Sequence, residues 1–278
     1  MTTPEEEWTA TAGGRLGALR RSLVAAFATG GLVGVLGGMI GLGGAEFRLP
    51  LLIGLFGFVA LQAVIVNKAM SLAVVLTALP ARLVAVPYAA LAPQWLVAVN
   101  LLAGSLVGAW VGASWATRMR TTTLHKVLAG LLVLMAVALV FTHVDGPTSS
   151  LGLHGWAQAL VGLVAGFGIG VVAAVMGVAG GELLIPTIVL LYGVDINLAG
   201  SLSLAVSLPT MLVAFARYRR DQAFDVLRGN GRLLLAMTVG SVVGSVVGAL
   251  LLGVVPNLLL IPALALLLLL SAVKLWRH

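Results

Sequence analysis

From Ser22 onward the chain is a succession of apolar runs separated by short glycine-rich, polar or basic turns. The runs are roughly 20 residues long, too long for strands and long enough to cross about 30 Å of hydrocarbon as helices. They place candidate spans at 22–43, 45–66, 68–89, 94–117, 122–142, 154–177, 181–199, 200–218, 231–253 and 256–275. The expected fold class is an all-α polytopic membrane protein with about ten transmembrane segments. Pro80 and Pro209 fall inside these runs and are expected to break or kink them.

The runs repeat. GGLVGVLGGMIGLGGAEFRLP, from Gly30 to Pro50, is echoed 136 positions on by GFGIGVVAAVMGVAGGELLIP, from Gly166 to Pro186. Without a gap, Gly30, Gly34, Gly41, Gly44, Glu46 and Pro50 meet Gly166, Gly170, Gly177, Gly180, Glu182 and Pro186. The register persists through Ser71 and Ser207, and through Gly104-Ser105-Leu106-Val107-Gly108 and Gly240-Ser241-Val242-Val243-Gly244. The chain thus divides into a polar tail (1–21), a first transmembrane repeat (22–142), a linker (143–153) and a second repeat (154–278). Five spans per repeat is an odd number, so the second repeat enters the bilayer from the opposite face. The expectation is two inverted five-segment repeats, the usual build of a secondary transporter. The glycine motifs predict broken or re-entrant helix at residues 22–66 and 154–199, with full crossings the alternative.

Charge sets the orientation. With the N-terminus in the cytoplasm, Lys68, the 118–126 loop, the 217–232 loop and the 274–277 tail fall inside, and the outer turns carry no Lys or Arg. Arg48, beside Glu46, is the exception and reads as a paired or functional charge. Trp95, Trp115, Trp156 and Trp276 lie near span ends, as interfacial anchors do. The run from Leu23 is longer than a signal-peptide core and reads as an uncleaved first span.

Composition narrows the function classes. Hydrophobic residues make up 60% of the chain and charged residues 9%, with mean hydropathy +1.13; soluble domains carry about 25% charged residues. The net charge of +7 sits at span ends and answers to orientation in a bilayer, not to nucleic acid. There is no cysteine, which excludes disulfides, thiolate metal sites and cysteine nucleophiles. His125, His143, His154 and His278 lie at boundaries or tails without metal spacing. No HExxH, P-loop or serine-nucleophile context is present, so neither an enzymatic activity nor a cofactor is expected.

The chemistry gathers at the two glycine motifs. Gly43, Gly44 and Glu46, with Gly180, Gly181 and Glu182, resemble turns opening into helices, where free N–H groups attract anions and glycine admits close approach. Small-residue packing is the alternative for glycines in any bundle. It is preferred for Gly30 and Gly34, for Gly104, Gly108 and Gly112, and for Gly240, Gly244 and Gly248. Ionisable groups within a membrane are functional candidates by default, and Glu46 and Glu182 are the symmetric pair that could carry a proton; capping a helix, or pairing with Arg48, is their bland reading. Arg82 is the deepest cation and suits a tetrahedral or pyramidal oxyanion through its bidentate fork. Lys68, after Asn67 at an inner boundary, is either an interfacial lysine or a ligand. Asn67, Ser71 and Thr77 line one half; Ser201, Ser203 and Ser207 line the other.

On these residues the chain resembles the TauE/SafE sulfite-exporter family of membrane permeases. The likeness rests on GLGGAEFRLP and GVAGGELLIP, on the Asn67-Lys68 pair, and on AGSLSLAVSLPTMLVAFARYRR from Ala199 to Arg220. It implies a carrier of sulfite or an organosulfonate in the cytoplasmic membrane. By that analogy the ligand shell comprises Gly44, Glu46, Asn67, Lys68, Gly180, Gly181, Ser201 and Ser203. The expected mechanism is alternating access, one half rocking against the other, with proton coupling through Glu46 or Glu182. The rivals are a carrier or channel for another anion, such as a carboxylate, and a non-transporting scaffold. The expected partners are the small anion and membrane lipid, and a homodimer is compatible with the sequence.

Overall fold

A computed structural model describes residues 22–40, 44–85, 92–144, 152–251 and 257–276. The 1–21 tail, Gly43 and most of the linker lie outside the described residues, as does the side chain of Arg82. The described chain is helical, with no strand. The helices are α1 (Leu23–Ile40), α2 (Ala45–Gly54), α3 (Ala60–Ala85), α4 (Trp95–Ala116), α5 (Thr121–Val144), α6 (Gly155–Met176), α7 (Gly181–Tyr192), α8 (Ile196–Tyr218), the single-turn α9 (Val226–Gly229), α10 (Gly231–Leu250) and α11 (Asn257–Trp276). Six of them, α3, α4, α5, α6, α8 and α10, are long and apolar enough to cross a bilayer; α1, α7 and α11 hold shorter apolar stretches.

Two expected spans are corrected. The 45–66 run is not one helix. Its first part is α2, ten residues long and so about 15 Å, half a bilayer. Its last residues open α3, a 26-residue helix that passes straight through the boundary expected at 67–68. Asn67 and Lys68 are therefore buried within a helix rather than at a membrane surface. In the same way the 181–199 run shrinks to α7, twelve residues, and α8 begins at Ile196. Periodicity missed the break after Gly54 because both sides of it are apolar; the turn at 193–195 differs from the boundary expected at 199–200 by a few residues. The prolines do not break their helices: α3 runs across Pro80 and α8 across Pro209. Pro50 and Pro186 lie inside the two short helices.

The packing repeats at the offset seen in the sequence. The most extensive interfaces are α1 with α10 and α4 with α6, and each is the other shifted by 136 positions. The fainter pairs obey the same rule: α2–α3 with α7–α8, α3–α10 with α8–α4, and α2–α11 with α7–α5. Thus α1 of the first half lies on α10 of the second, and α6 of the second on α4 of the first.

Glycine stripes make these contacts. A Cβ at Gly30 would run into the carbonyl of Met237, one at Gly34 into that of Ser241, and one at Gly38 into that of Ser245. Gly240, Gly244 and Gly248 meet Phe27, Gly31 and Val35 in return. Numbers rise together on both helices, so α1 and α10 are parallel. Gly104, Gly108 and Gly112 stand against Leu163, Phe167 and Val171, making α4 and α6 parallel too. Without a hydrophobic drive in lipid, such backbone contact supplies dispersion that bulkier side chains would forbid. By contrast α5 and α11 are antiparallel: Lys126 lies over the Trp276 ring at 5.9 Å, and Ala129 and Val133 share a cleft with Leu269 and Ala272. Trp95, Trp115, Trp156 and Trp276 are exposed near helix ends.

Leucine at Gly34 or Gly108 should therefore destabilise the bundle by at least about 3 kcal/mol, the severe end of overpacking, or abolish folded yield. Gly168 has open space where its Cβ would stand. Gly168→Leu should leave the unfolding midpoint in detergent, followed by size-exclusion melts, unchanged.

Candidate functional site

Each half-helix is opened by a glycine in the left-handed region, Gly44 at φ 68° before α2 and Gly180 at φ 86° before α7. Such angles carry almost no cost for glycine and a steric one for residues with a Cβ. They let the chain fold back on itself: Gly44 lies beside Val33 and Gly37 of α1, and Gly180 beside Ala173 and Ile169 of α6. The first main-chain bonds of the two short helices are equivalent, Arg48 N–H to the Gly44 carbonyl at 3.3 Å and Leu184 N–H to the Gly180 carbonyl at 3.0 Å. Glu46 and Glu182 occupy the first turns, where a carboxylate meets the positive end of the helix dipole. The two side chains interact with one another, and each also meets its own main-chain N–H. Glu46 Oε2 and Glu182 Oε2 are buried without a hydrogen-bond partner.

Stopping a helix inside a membrane strands its last carbonyls, which water cannot reach. At the end of α6 the protein supplies donors from neighbouring helices. Lys68 Nζ donates to the carbonyls of Ala173 and Val178, both at 2.7 Å. Tyr218 Oη donates to Ala174 at 3.0 Å, Asn67 Nδ2 to Met176 at 3.2 Å and Ser71 Oγ to Gly177 at 3.3 Å. Asn67 Nδ2 also donates to Ala45 at 3.0 Å, so one amide bridges both glycine motifs. The Lys68 ammonium thus sits at the negative end of the α6 dipole, a favourable place for a cation.

Arg48 is the second buried cation, and of its two readings, a partner for Glu46 or a functional charge, the direct pairing is not found. Its Nε donates to Asn67 Oδ1 at 2.9 Å, one terminal nitrogen to Ser71 Oγ at 3.0 Å and the other to Ser241 Oγ at 3.2 Å. Among the described residues the one ion pair is Arg228–Asp225, 4.0 Å apart on the surface. Arg48 and Glu46, like Lys68 and Glu182, feel each other's charge without closing a contact. Two carboxyls and two cations share one interior, and Arg48 and Lys68 both have zero exposure.

Of the residues expected at the site, Gly44, Glu46, Asn67, Lys68, Ser71, Gly180, Gly181 and Glu182 are brought together. Ser203 Oγ lies 3.9 Å from the position a Cβ would take on Gly181, and donates to the Gly200 carbonyl. Ser201 and Ser207 are buried on the same helix. Thr77 is not part of this set; it is exposed and donates to Val74. Sequence reasoning missed Tyr218 and Ser241, and left the partner of Arg48 open. A signal for Ser241 did exist, since it matches Ser105 in the repeated GSLVG and GSVVG. Ser105 bonds to Thr210 at 2.7 Å instead.

Arg217, Arg220, Lys126 and Lys274 gather at one end of the bundle. Arg217, at the end of α8, donates to Ser114 and Thr117 at the end of α4. Arg220 lies 5.5 Å from the Trp110 ring centre, and Lys274 lies against Gly54.

A multi-pass helical protein with two half-helices meeting at an enclosed charged cluster is built as a membrane transporter. The chain belongs to the TauE/SafE sulfite exporter family, whose model matches residues 7–139 and 154–278. This is a family of membrane transporters of sulfite-type anions, not of enzymes. No curated protein and no solved structure matches the chain.

Lys68→Met would leave the buried Val178 carbonyl without its donor, while the Ala173 carbonyl keeps the main-chain N–H of Val178. It should cost about 1–3 kcal/mol, the penalty of one orphaned group. Hydrogen exchange should show the Val178–Glu182 amides losing protection while α1 and α10 keep theirs.

Proposed function

We propose that the protein is a secondary carrier of a small sulfur oxyanion, sulfite or an organosulfonate, in the cytoplasmic membrane. The observation that carries this reading is the meeting of the α2 and α7 N-termini, each opened by a left-handed glycine, around Glu46, Glu182, Arg48 and Lys68. Main-chain N–H groups at the two helix starts and the cationic side chains suit a compact oxyanion. The proposed ligand shell is Gly44, Glu46, Asn67, Lys68, Gly180, Gly181, Ser201 and Ser203, with Ser71, Ser207 and Arg82 further members.

The architecture we infer is an inverted repeat. Helix directions support it. The α5–α11 pair is antiparallel, while α1 runs with α10 and α6 with α4. Short connections make α4 opposite to α5 and α10 opposite to α11. It follows that α1 and α6, equivalent in sequence, run in opposite directions, as an axis in the membrane plane requires. The basic end of the bundle, holding Arg217, Lys126 and Lys274, is the cytoplasmic end under the positive-inside rule, and this puts the start of α1 inside.

The same geometry supports a reading with proton coupling. In the closed site the glutamates occupy the helix starts that an anion would use. A proton on either carboxyl removes the competing charge and frees the N–H groups, so anion and proton travel together. In proteoliposomes the uptake of sulfite and of an alkylsulfonate should saturate, while carboxylates of equal size should compete poorly. Uptake of the alkylsulfonate, which stays ionised near neutrality, should rise as external pH falls. Glu46→Gln with Glu182→Gln should flatten that dependence, and an unchanged pH profile would remove the coupling role. Preference for carboxylates over sulfonates would replace the substrate class.

A further inference from the structure

The backbone contacts of α1 with α10 and of α4 with α6 are the most extensive in the molecule, and both join helices from different sequence halves. Rocking one half against the other would slide glycine-lined backbones past carbonyls with no room to spare. The side-chain bonds add a second constraint, and they are unevenly distributed. Helices α3, α4, α6 and α8 are braced together by Lys68 to Ala173, Asn67 to Met176, Tyr218 to Ala174, Ser105 to Thr210 and Arg217 to Ser114. Among the described residues a single side-chain hydrogen bond joins the α1–α10 pair to the rest, Arg48 to Ser241.

The imbalance has a sequence cause. Shifted by 136, Lys68 meets Leu204, Arg48 meets Leu184, Thr210 meets Val74 and Arg217 meets Ala81. Three of the braces, through Lys68, Thr210 and Arg217, therefore have apolar counterparts on the other side of the pseudo-symmetric bundle, while Asn67, Ser105 and Tyr218 meet Ser203, Ser241 and Arg82. The interface of α8 on α4 is correspondingly broader than that of α3 on α10.

We infer that the moving unit of this carrier is the α1–α10 pair, one helix from each half, working against a block of α3, α4, α6 and α8, with Arg48–Ser241 the tie across the joint. The inference rests on the transport reading and replaces the rocking of sequence halves. Arg48 is a positioning residue here: it links the half-helix that carries Glu46 to the helix pair that moves. In packed proteins such displacements are rigid-body or shear steps between discrete arrangements.

The chain has no cysteine, so spin labels can be placed through single cysteines without further change. Val24 on α1, Leu235 on α10, Val107 on α4 and Val164 on α6 are exposed on the apolar surface. Pulsed electron resonance in proteoliposomes, with and without sulfite, would follow four distances. The expected result is that Val24–Leu235 and Val107–Val164 stay fixed, while Val24–Val107 and Leu235–Val164 shift by several ångströms. The opposite pattern restores moving halves and overturns the proposal, as does a change in Val24–Leu235 alongside the others. Four fixed distances in vesicles that carry sulfite flux overturn the proposal alone; fixed distances with no flux remove the transport reading as well. Arg48→Gln supplies a readout without ligand. Cutting the tie should broaden Val24–Val107 and leave Val24–Leu235 narrow, and an unchanged Val24–Val107 width would deny Arg48 that role.

Discussion

Everything in this molecule depends on satisfying the main chain where helices stop inside the hydrocarbon. An unpaired carbonyl there costs several kcal/mol, and no water is at hand to answer it. At the end of α6 the answer is a set of side chains from α3 and α8, with Lys68, Asn67, Ser71 and Tyr218 each holding a different carbonyl or pair. Once those donors are in place, the chain can turn at Gly177 and Gly180, and α7 can begin in the interior rather than at a surface. The polar site is thus a consequence of the break, and the break is tolerated because of the polar side chains around it.

The same groups that repair the backbone create the electrostatics. Burying Lys68 and Arg48 without direct ion pairs is tolerated because carbonyls, hydroxyls and an amide accept from them, and because two glutamates lie nearby. Glu46 and Glu182 in turn lie at helix starts, where the dipole favours negative charge. Their unpartnered Oε2 atoms are the open valence of an otherwise closed network. In the proposed carrier, structural repair and anion binding would draw on one set of residues, so substitutions here report on both unless stability and flux are measured together.

Symmetry and its violations divide the labour. The glycine stripes obey the repeat, and they fix which helices lie in backbone contact. The braces break it, since Arg48, Lys68 and Thr210 face leucines or valine at the equivalent positions. A duplicated unit thereby becomes an asymmetric machine without losing its architecture. The TauE/SafE family model matches residues 7–139 and 154–278 and leaves 140–153 between them.

The sequence alone determined the membrane class, the helical fold, the duplication and the packing role of the glycine stripes. These follow from composition and from spacing along one chain, which local physics governs. It also located most of the cluster, because glutamates, an asparagine and a lysine in apolar runs are conspicuous. It could not find the break after Gly54, since apolar residues continue across it and hydropathy does not register a helix end. Nor could it show that Lys68 lies in the interior, that Arg48 turns from Glu46 to Ser241, or that Tyr218 caps α6. Those outcomes depend on which orphaned carbonyls come within reach of which donors, and only the tertiary arrangement decides that.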